Sequence, residues 1–173
     1  MDIDGVELSR LELHTDDRGS VFEAFRASTL PGRPIVQANV SSSAQGVLRG
    51  LHFHRVQSDY WVPLEGRAVV GLYDLRAGSP TSGRFATIAM DAAEPQALFT
   101  PSGVAHGFAA RTIWRMLYLV DVEFTGTDEF GVAWDDPALG IDWGVVDPML
   151  SERDRSNPSL AEVLAADPPE FRG

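Results

Sequence analysis

The stretch GVLRGLHFHRVQSDYWVPLEG, residues 46–66, concentrates polar side chains inside a β-type hydrophobic pattern. Two histidines, two arginines and an aspartate alternate there with Val, Leu, Phe, Tyr and Trp. Burying so many polar groups without partners is costly, so the pattern favours a polar-lined cavity over a filled core. His52 and His54 lie two positions apart, so a strand would turn both toward one face. The alternative is a pair of surface histidines on a half-exposed strand.

Short runs of apolar, β-branched and aromatic residues recur on both sides of this stretch, separated by turn-rich segments. Strands are predicted at residues 6–13, 20–25, 35–40, 47–54, 60–64, 68–75, 85–90, 97–100, 105–110 and 113–121. Strands at this spacing are typical of an all-β antiparallel sandwich or barrel. A helix is predicted at residues 158–166, with Ser156 or Asn157 as its N-cap, and residues 129–147 are predicted to be an irregular surface wrap.

The composition excludes several classes of protein. A length of 173 residues suits one domain spanning residues 1–173. A net charge of −11 argues against binding to nucleic acid or to an anionic membrane. All 14 cationic residues are arginines and cysteine is absent, which excludes Schiff-base lysines, thiolate nucleophiles, disulfides and cysteine–zinc sites. An acidic N-terminus without an apolar signal core, and no run near the ~20 apolar residues of a membrane span, predict a cytoplasmic protein.

A third histidine of interest, His106, lies in the segment PSGVAHGF at residues 101–108. The proline and glycine predict a tight turn that delivers His106 to the start of the next strand. A solvated histidine in a capped turn is the alternative. The pairing of HxH with a later PxGxxH is similar to the two motifs of the cupin superfamily, which are small β-barrels whose motifs line one pocket.

Six blocks of the sequence resemble, in order, those of the dTDP-4-dehydrorhamnose 3,5-epimerase family, a branch of the cupins that acts on nucleotide-linked 4-keto sugars. They are DDRGSVFEAF (16–25), QANVSSSAQGVLRGLHFH (37–54), PSGVAHGF (101–108), MLYLVD (116–121), WDDPALGIDW (134–143) and LSERD (150–154). The resemblance implies a cupin-type jelly-roll β-barrel with a short C-terminal helical segment. It also implies epimerisation at C3, or at C3 and C5, of a dTDP-4-keto-6-deoxyhexose in deoxysugar biosynthesis, by a route that needs no cofactor.

Carried over by position, the resemblance assigns proton transfer to three residues. His52 would be the base that removes a proton next to the C4 ketone, and Asp154 would orient its imidazole. Tyr118 would return a proton from the opposite face of the ring, since return to the same face restores the original centre. Without the resemblance, Asp154 would be a solvated charge and Tyr118 a core aromatic.

The resemblance further implies that four residues of the chain contact the substrate: Asn39, Arg49, His106 and Phe124. Arg49 matches an arginine near the diphosphate, and its forked donors suit phosphate oxygens. Phe124 is a smaller departure, because the family often has an aromatic residue with a hydroxyl or an indole there; a phenyl ring can still stack on the substrate.

Arg18 and Glu23 match positions that reach the partner's nucleotide pocket in dimers of the family. This match implies a homodimer with strand exchange at the N-terminal region. The alternative is that Arg18 closes its own turn by pairing with Asp16 or Asp17, a contact that contributes little at a surface.

The chain departs from the family pattern at two positions near the base. Asp59 occupies the position of a family lysine that stabilises the enolate oxygen, and His54 replaces a glutamine. A carboxylate repels a developing oxyanion, so either another donor serves or the chemistry has changed. Together with His52 and His106, the two changes give the residue spacing by which metal-binding cupins hold a divalent ion.

Three hypotheses about function therefore stand. The first is a cofactor-free epimerase that uses His52, Tyr118 and Asp154. The second is a metal-dependent cupin enzyme with His52 among its ligands, and it conflicts with the first because a histidine that donates its lone pair to a metal cannot accept a substrate proton. The third is a sugar-nucleotide-binding domain without turnover.

Overall fold

The computed structural model describes residues 2–30 and 33–172. Within those ranges the chain forms twelve strands and two short α-helices. The strands are β1 (Glu7–Arg10), β2 (Leu13–Asp16), β3 (Gly19–Phe22), β4 (Gln37–Ser43), β5 (Leu48–Phe53), β6 (Asp59–Glu65), β7 (Arg67–Asp74), β8 (Phe85–Asp91), β9 (Gln96–Thr100), β10 (Val104–Ala110), β11 (Trp114–Val120) and β12 (Phe130–Gly131). The helices are α1 (Glu152–Arg155) and α2 (Leu160–Ala166), and short 3₁₀ turns span Ala27–Thr29 and Pro137–Leu139.

Two five-stranded antiparallel sheets make up the body of the fold. The first sheet has the order β1-β9-β6-β11-β4, and the second sheet has the order β12-β5-β10-β7-β8. Strands β4, β5 and β6 follow one another in sequence but alternate between the sheets, and so do β9, β10 and β11. These crossings bring the two motif-bearing segments, around β5 and β10, side by side in the second sheet.

The main hydrophobic core lies between the two sheets. Trp61, Leu98 and Trp114 of the first sheet pack there against Val70 and Phe108 of the second sheet. These side chains are inward-facing members of alternating strands, as expected for packed sheets. Trp61 and Phe108 also line a cavity at the edge of this core.

The C-terminal segment covers the outer face of the second sheet. Leu51 and Phe53 of β5 pack outward in a cluster that includes Trp143, Leu160 and Val163. Because Leu51 and Phe53 point outward, His52 between them points inward, as the alternation of the sequence predicts. The covering segment therefore passes close to the site-bearing strand.

The strand predictions are confirmed, with small shifts at the ends. The predicted run at residues 6–13 is divided between β1 and β2, and β12 lies within the segment predicted to be irregular. The helix prediction is confirmed for α2, but its N-cap is wrong: Ser159 caps the helix and forms a capping box with Glu162. Helix α1 was not predicted. Across residues 2–30 and 33–172, no helix combines the length and the apolar character needed to span a membrane.

Candidate active site

A cavity of about 330 Å³ opens between the two sheets. Strands of the first sheet contribute Asn39, Asp59 and Tyr118, and strands of the second sheet contribute His52 and His106. A volume of this size lies at the lower end of the range typical of small-molecule sites. Both sequence motifs thus line one cavity, as predicted.

His52 is held in place by the backbone on both sides and by one buried carboxylate. In β5 it pairs in register with His106 of β10 and with Gly131 of β12. Its Nε2 lies 2.5 Å from Oδ1 of Asp154, which is 4% exposed. The Oδ2 of Asp154 accepts a hydrogen bond of 2.8 Å from Ser151, the N-cap of α1.

The protonation of this His52–Asp154 dyad follows from its surroundings. Burial acts to raise the pKa of Asp154, but the hydrogen bond and charge of His52, with help from Ser151 and Arg153, hold that pKa below its ordinary value. An ionised Asp154 accepts the Nε2 hydrogen of His52. The lone pair of a neutral His52 is then on Nδ1.

Tyr118 lies on β11, in the sheet opposite His52. It pairs in register with Asn39 of β4 and Trp61 of β6, and it is half-buried. Burial, followed by the negative charges of Asp59 and Glu129, raises the pKa of its hydroxyl above the ordinary value of 10.0. The hydroxyl is therefore neutral at physiological pH and can donate a proton.

His54, Asp59 and His106 form a second group in the cavity wall, here called the inner cluster. The three residues are between 4% and 6% exposed, and one ligand atom from each lies within 4.8 Å of the others. Nε2 of His106 is 3.2 Å from Oδ2 of Asp59. His52 is not part of this cluster, and its imidazole is held against Asp154. The cluster therefore contains three of the four residues named in the metal-dependent alternative.

The charges within the inner cluster depend strongly on one another. Burial acts to lower the pKa of His106, but the hydrogen bond and charge of Asp59 raise it above the ordinary value. Burial and the charge of His106 lower the pKa of His54. Burial acts to raise the pKa of Asp59, and the two histidines and Gln57 outweigh it, so that the pKa is about 2.

The four residues predicted to contact substrate within the chain all line the cavity. Asn39 accepts a hydrogen bond of 3.0 Å from Gln37, and Nε of Arg49 donates one of 3.0 Å to Ser43. Phe124 is 61% exposed, which suits a position at the entrance. These residues surround the dyad with amide, guanidinium and aromatic groups.

Glu129 lines the cavity too, and the sequence analysis missed it. Its Oε1 lies 4.0 Å from Nδ1 of His52 and 2.7 Å from Nη1 of Arg153. It immediately precedes β12, in the segment predicted to be irregular, so no periodicity marked it. The acidic pair Asp128–Glu129 was the available signal, and it was too common a pattern to be used.

Arg18 and Glu23 lie elsewhere. Among the residues that the structure describes, neither lines the cavity of its own chain. Arg18 pairs with Asp16 across the turn of the β2–β3 hairpin, which is the alternative that the sequence offered, and Glu23 pairs with Arg26. All four side chains are exposed by more than half.

Comparison with known protein sequences identifies the relatives of this chain. The family model described as dTDP-4-dehydrorhamnose 3,5-epimerase matches residues 1–162. The dTDP-4-dehydrorhamnose 3,5-epimerase of Mycobacterium tuberculosis is 34% identical over 178 residues, covering 96% of this chain and 88% of that protein. The dTDP-4-dehydro-6-deoxyglucose 3-epimerase of Streptomyces bikiniensis is 33% identical over 171 residues, covering 93% and 87%.

Solved structures agree with this assignment. An epimerase from Mycobacterium tuberculosis matches with a TM-score of 0.93 at 32% identity, covering 99% of this chain and 92% of that chain. A 3'-monoepimerase from Streptomyces bikiniensis, in complex with dTDP-quinovose, matches with a TM-score of 0.91 at 32% identity, covering 98% and 91%. The predicted all-β, cupin-type barrel with a short C-terminal helical segment is confirmed. The chain belongs to the dTDP-4-dehydrorhamnose 3,5-epimerase family.

Proposed function

We propose that this protein is an isomerase that inverts C3, or C3 and C5, of a dTDP-linked 4-keto-6-deoxyhexose. The observation that carries the proposal is the pairing of a carboxylate-supported histidine and a neutral tyrosine on opposite sheets of one cavity. Inversion needs a proton acceptor and a proton donor on opposite faces of the sugar ring. The names of the relatives, which include both 3,5-epimerases and 3-epimerases, favour the same reaction.

In the proposed reaction, Nδ1 of His52 removes the proton from the carbon next to the C4 ketone. The electron pair of the broken C–H bond forms the enolate, and Asp154 stabilises the imidazolium that results. Tyr118 then donates its hydroxyl proton to the same carbon from the other face. Solvent returns a proton to Tyr118 and takes one from His52, so the enzyme is regenerated without a redox step. General acid–base transfer of this kind contributes about 10²- to 10⁴-fold to a rate.

Binding of the nucleotide part is assigned to the remaining cavity residues. Arg49 would bind the diphosphate through its guanidinium group, whose forked donors match phosphate oxygens. Phe124 at the entrance would stack on the base, and Asn39 would hydrogen-bond to the sugar or the nucleoside. The net charge of −11 makes such a local cation necessary for an anionic substrate.

The reaction is tested by incubating the protein with dTDP-4-keto-6-deoxyglucose in D₂O and locating deuterium in the sugar by NMR. Incorporation at C3 alone or at both C3 and C5 is expected, and the pattern distinguishes a 3-epimerase from a 3,5-epimerase. Binding of dTDP without exchange at either carbon would refute the proposal and favour a domain without turnover.

A homodimer is part of the same proposal. Strands β2 and β3 form a separate two-stranded sheet, all of β2 is exposed, and Val21 of β3 is 67% exposed. A hairpin that projects in this way could bring Arg18 and Glu23 to the cavity of a second copy. In a symmetric dimer each cavity would then receive this hairpin from its partner.

Subunit mixing tests this arrangement. His52→Asn and Arg18→Ala dimers are each expected to be impaired, and mixed dimers should regain activity if Arg18 acts on the partner's cavity. One cavity of each mixed dimer then has both His52 and Arg18 intact. No gain on mixing, or a monomer by light scattering, would contradict the dimeric site.

A further inference from the structure

We propose that the inner cluster, His54, Asp59 and His106, is a binding site for a divalent transition-metal ion, separate from the His52–Asp154 dyad. The site combines two imidazoles with one carboxylate, a donor set that suits Fe²⁺, Mn²⁺, Ni²⁺, Co²⁺ or Zn²⁺. His54 follows β5, Asp59 begins β6, and His106 lies in β10, so the ligands come from both sheets. They therefore converge by the packing of the barrel and not by local chain geometry.

The separations fit a metal ion. Metal–ligand bonds of about 2.1 Å place neighbouring ligand atoms about 3.0 to 3.4 Å apart. Nε2 of His106 and Oδ2 of Asp59 are 3.2 Å apart, so these two atoms already have that spacing. The ligand atoms of the cluster all lie within 4.8 Å of one another.

The hydrogen bonds at the other ring nitrogens determine where the lone pairs are. Nδ1 of His106 is bonded to the carbonyl of Val104 at 3.0 Å, and Nδ1 of His54 is bonded to the carbonyl of Asp128. A carbonyl only accepts, so each Nδ1 carries a hydrogen and each neutral imidazole has its lone pair on Nε2. Metal-binding histidines almost always donate their other N–H in this way.

Asp59 is oriented by two donors of its own. Gln57 donates to Oδ1 at 2.7 Å, and the indole of Trp61 donates to Oδ2 at 3.1 Å. The side chain of Gln57 is itself buried. Such support around a carboxylate ligand fixes its direction and strengthens metal binding.

A positive charge is required between Asp59 and His106, because a carboxylate and an imidazole lone pair repel each other at 3.2 Å. A proton on His106 supplies it in the metal-free protein, and a divalent ion bound at Nε2 would replace that proton. His54 lines the cavity, and its Nε2 makes no hydrogen bond with any described residue, so that nitrogen is available to a ligand. A metal ion at the inner cluster would neutralise Asp59 and use the lone pairs of both histidines.

Three protein ligands leave coordination positions open, and the inner cluster lines the same cavity as His52 and Tyr118. A metal ion there would be a Lewis acid for an oxyanion in the cavity, in a chain that has no lysine. This role rests on the proposed epimerisation, whereas the binding of the ion does not. His52 remains free to act as the base, because Asp154 and not the ion holds its imidazole.

The test is titration of the chelator-treated, full-length protein with Co²⁺, followed by visible absorption and by metal analysis after dialysis. Equimolar binding with d–d bands is expected. His54→Ala should weaken Co²⁺ binding by more than about 100-fold, since even the supporting residues of metal sites contribute 10- to 100-fold. Two matched controls, His52→Asn in the dyad and His14→Ala on the exposed β2, should bind Co²⁺ as the wild type does.

Three outcomes would overturn the site: no Co²⁺ binding, binding unaffected by His54→Ala, or binding lost in His52→Asn. If His54→Ala does not fold, as judged by circular dichroism, His54→Gln keeps the volume and takes its place. Deuterium exchange distinguishes the two proposals. Co²⁺ binding without exchange in any metal form would refute the epimerase and leave the site, whereas equal exchange with and without metal would refute the Lewis-acid role alone.

Discussion

Asp59 and Asp74 are both buried carboxylates in the barrel, 4% and 0% exposed, but their partners differ in kind. Asp74 accepts from Nε and Nη2 of Arg76 at 2.7 and 2.9 Å, and from the hydroxyls of Ser79 and Thr81 at 2.7 Å each. All these donors keep one protonation state at physiological pH. Asp59 is next to histidines, which can exchange a proton for a metal ion or lose it altogether.

We infer from this difference that Asp74 is a structural carboxylate and that Asp59 has a functional role. Arg76 also donates to the carbonyl of Asp4 at 2.7 Å, and its guanidinium lies 5.0 Å from the ring centroid of Phe171. The Asp74–Arg76 pair thus ties both ends of the chain to the barrel. Asp59 lines the cavity, beside the residues proposed to transfer protons. Both carboxylates are buried. They differ because only Asp59 has partners, the histidines, that can gain or lose a proton.

The largest expected effect is on the cavity side. We expect His52→Gln to lower the rate of deuterium exchange by about 10²- to 10⁴-fold, because the proposed base is removed. The amide nitrogen of glutamine reaches about as far from the backbone as Nε2 of histidine does and can still donate a hydrogen bond to Asp154. The buried carboxylate therefore keeps a partner, and the melting temperature should stay near that of the wild type. Exchange measured by NMR and thermal unfolding followed by circular dichroism check this. A parallel loss of stability would mean that His52 is chiefly structural.

At the Asp74–Arg76 pair we expect a loss of stability without a loss of dTDP binding. Asp74→Ala leaves a buried guanidinium without its carboxylate, which should lower the free energy of unfolding by about 3 to 5 kcal/mol. Urea denaturation measures this, with the exposed Asp2→Ala as the control. The protein that remains folded should bind dTDP with unchanged affinity. Weaker dTDP binding in Asp74→Ala would show that the two regions are coupled.

The contrast between the two carboxylates also shows what sequence reasoning can reach. The strands were predictable because apolar alternation is a local signal, and HxH with PxGxxH placed His52, His54 and His106 in one cavity. The segment DLRAGSPT at residues 74–81 has the composition of an ordinary polar turn. Its burial arises from the two chain ends that cover it, and no local pattern encodes that contact.

Other features of the site depended on long-range packing or on resemblance. Asp154 is 102 positions from His52, and only its family resemblance linked the two in advance. Glu129 was missed because its position depends on β12 pairing with β5. The N-cap of α2, by contrast, was predictable from the sequence, because Ser159 and Glu162 form the S-x-x-E pattern of a capping box. The prediction of Ser156 or Asn157 did not use that pattern.

A smaller effect is expected from Gln57→Leu, which removes a hydrogen-bond donor to Asp59 but replaces none of the three proposed ligands. If the inner cluster binds a metal ion, the affinity for Co²⁺ should fall by about 10- to 100-fold. Ser79→Ala removes the equivalent kind of donor from Asp74 and serves as the matched control. Its Co²⁺ affinity should equal that of the wild type. Equal affinities in all three proteins would mean that the orientation of Asp59 has no bearing on metal binding.

The smallest expected effect is the contribution of the Asp74–Arg76 pair to the pH dependence of the free energy of unfolding. Burial acts to raise the pKa of Asp74, but Arg76, Thr81 and Ser79 hold it below the ordinary value of 3.8. Ionised Asp74 therefore contributes stability that is complete above the pKa of the unfolded chain and is lost as the pH falls through the folded pKa.

In Asp74→Asn this titration is absent, so the free energy of unfolding should fall less steeply with acidification than in the wild type. Since one carboxyl group binds one proton, the two slopes can differ by at most about 1.4 kcal/mol per pH unit. Urea midpoints measured at successively lower pH, beginning above the ordinary carboxyl range, give both slopes. Parallel slopes would mean that the Asp74–Arg76 pair does not depress the pKa of Asp74. The distinction between Asp74, whose partners keep one protonation state, and Asp59, whose histidine partners can change theirs, would then lose its electrostatic basis.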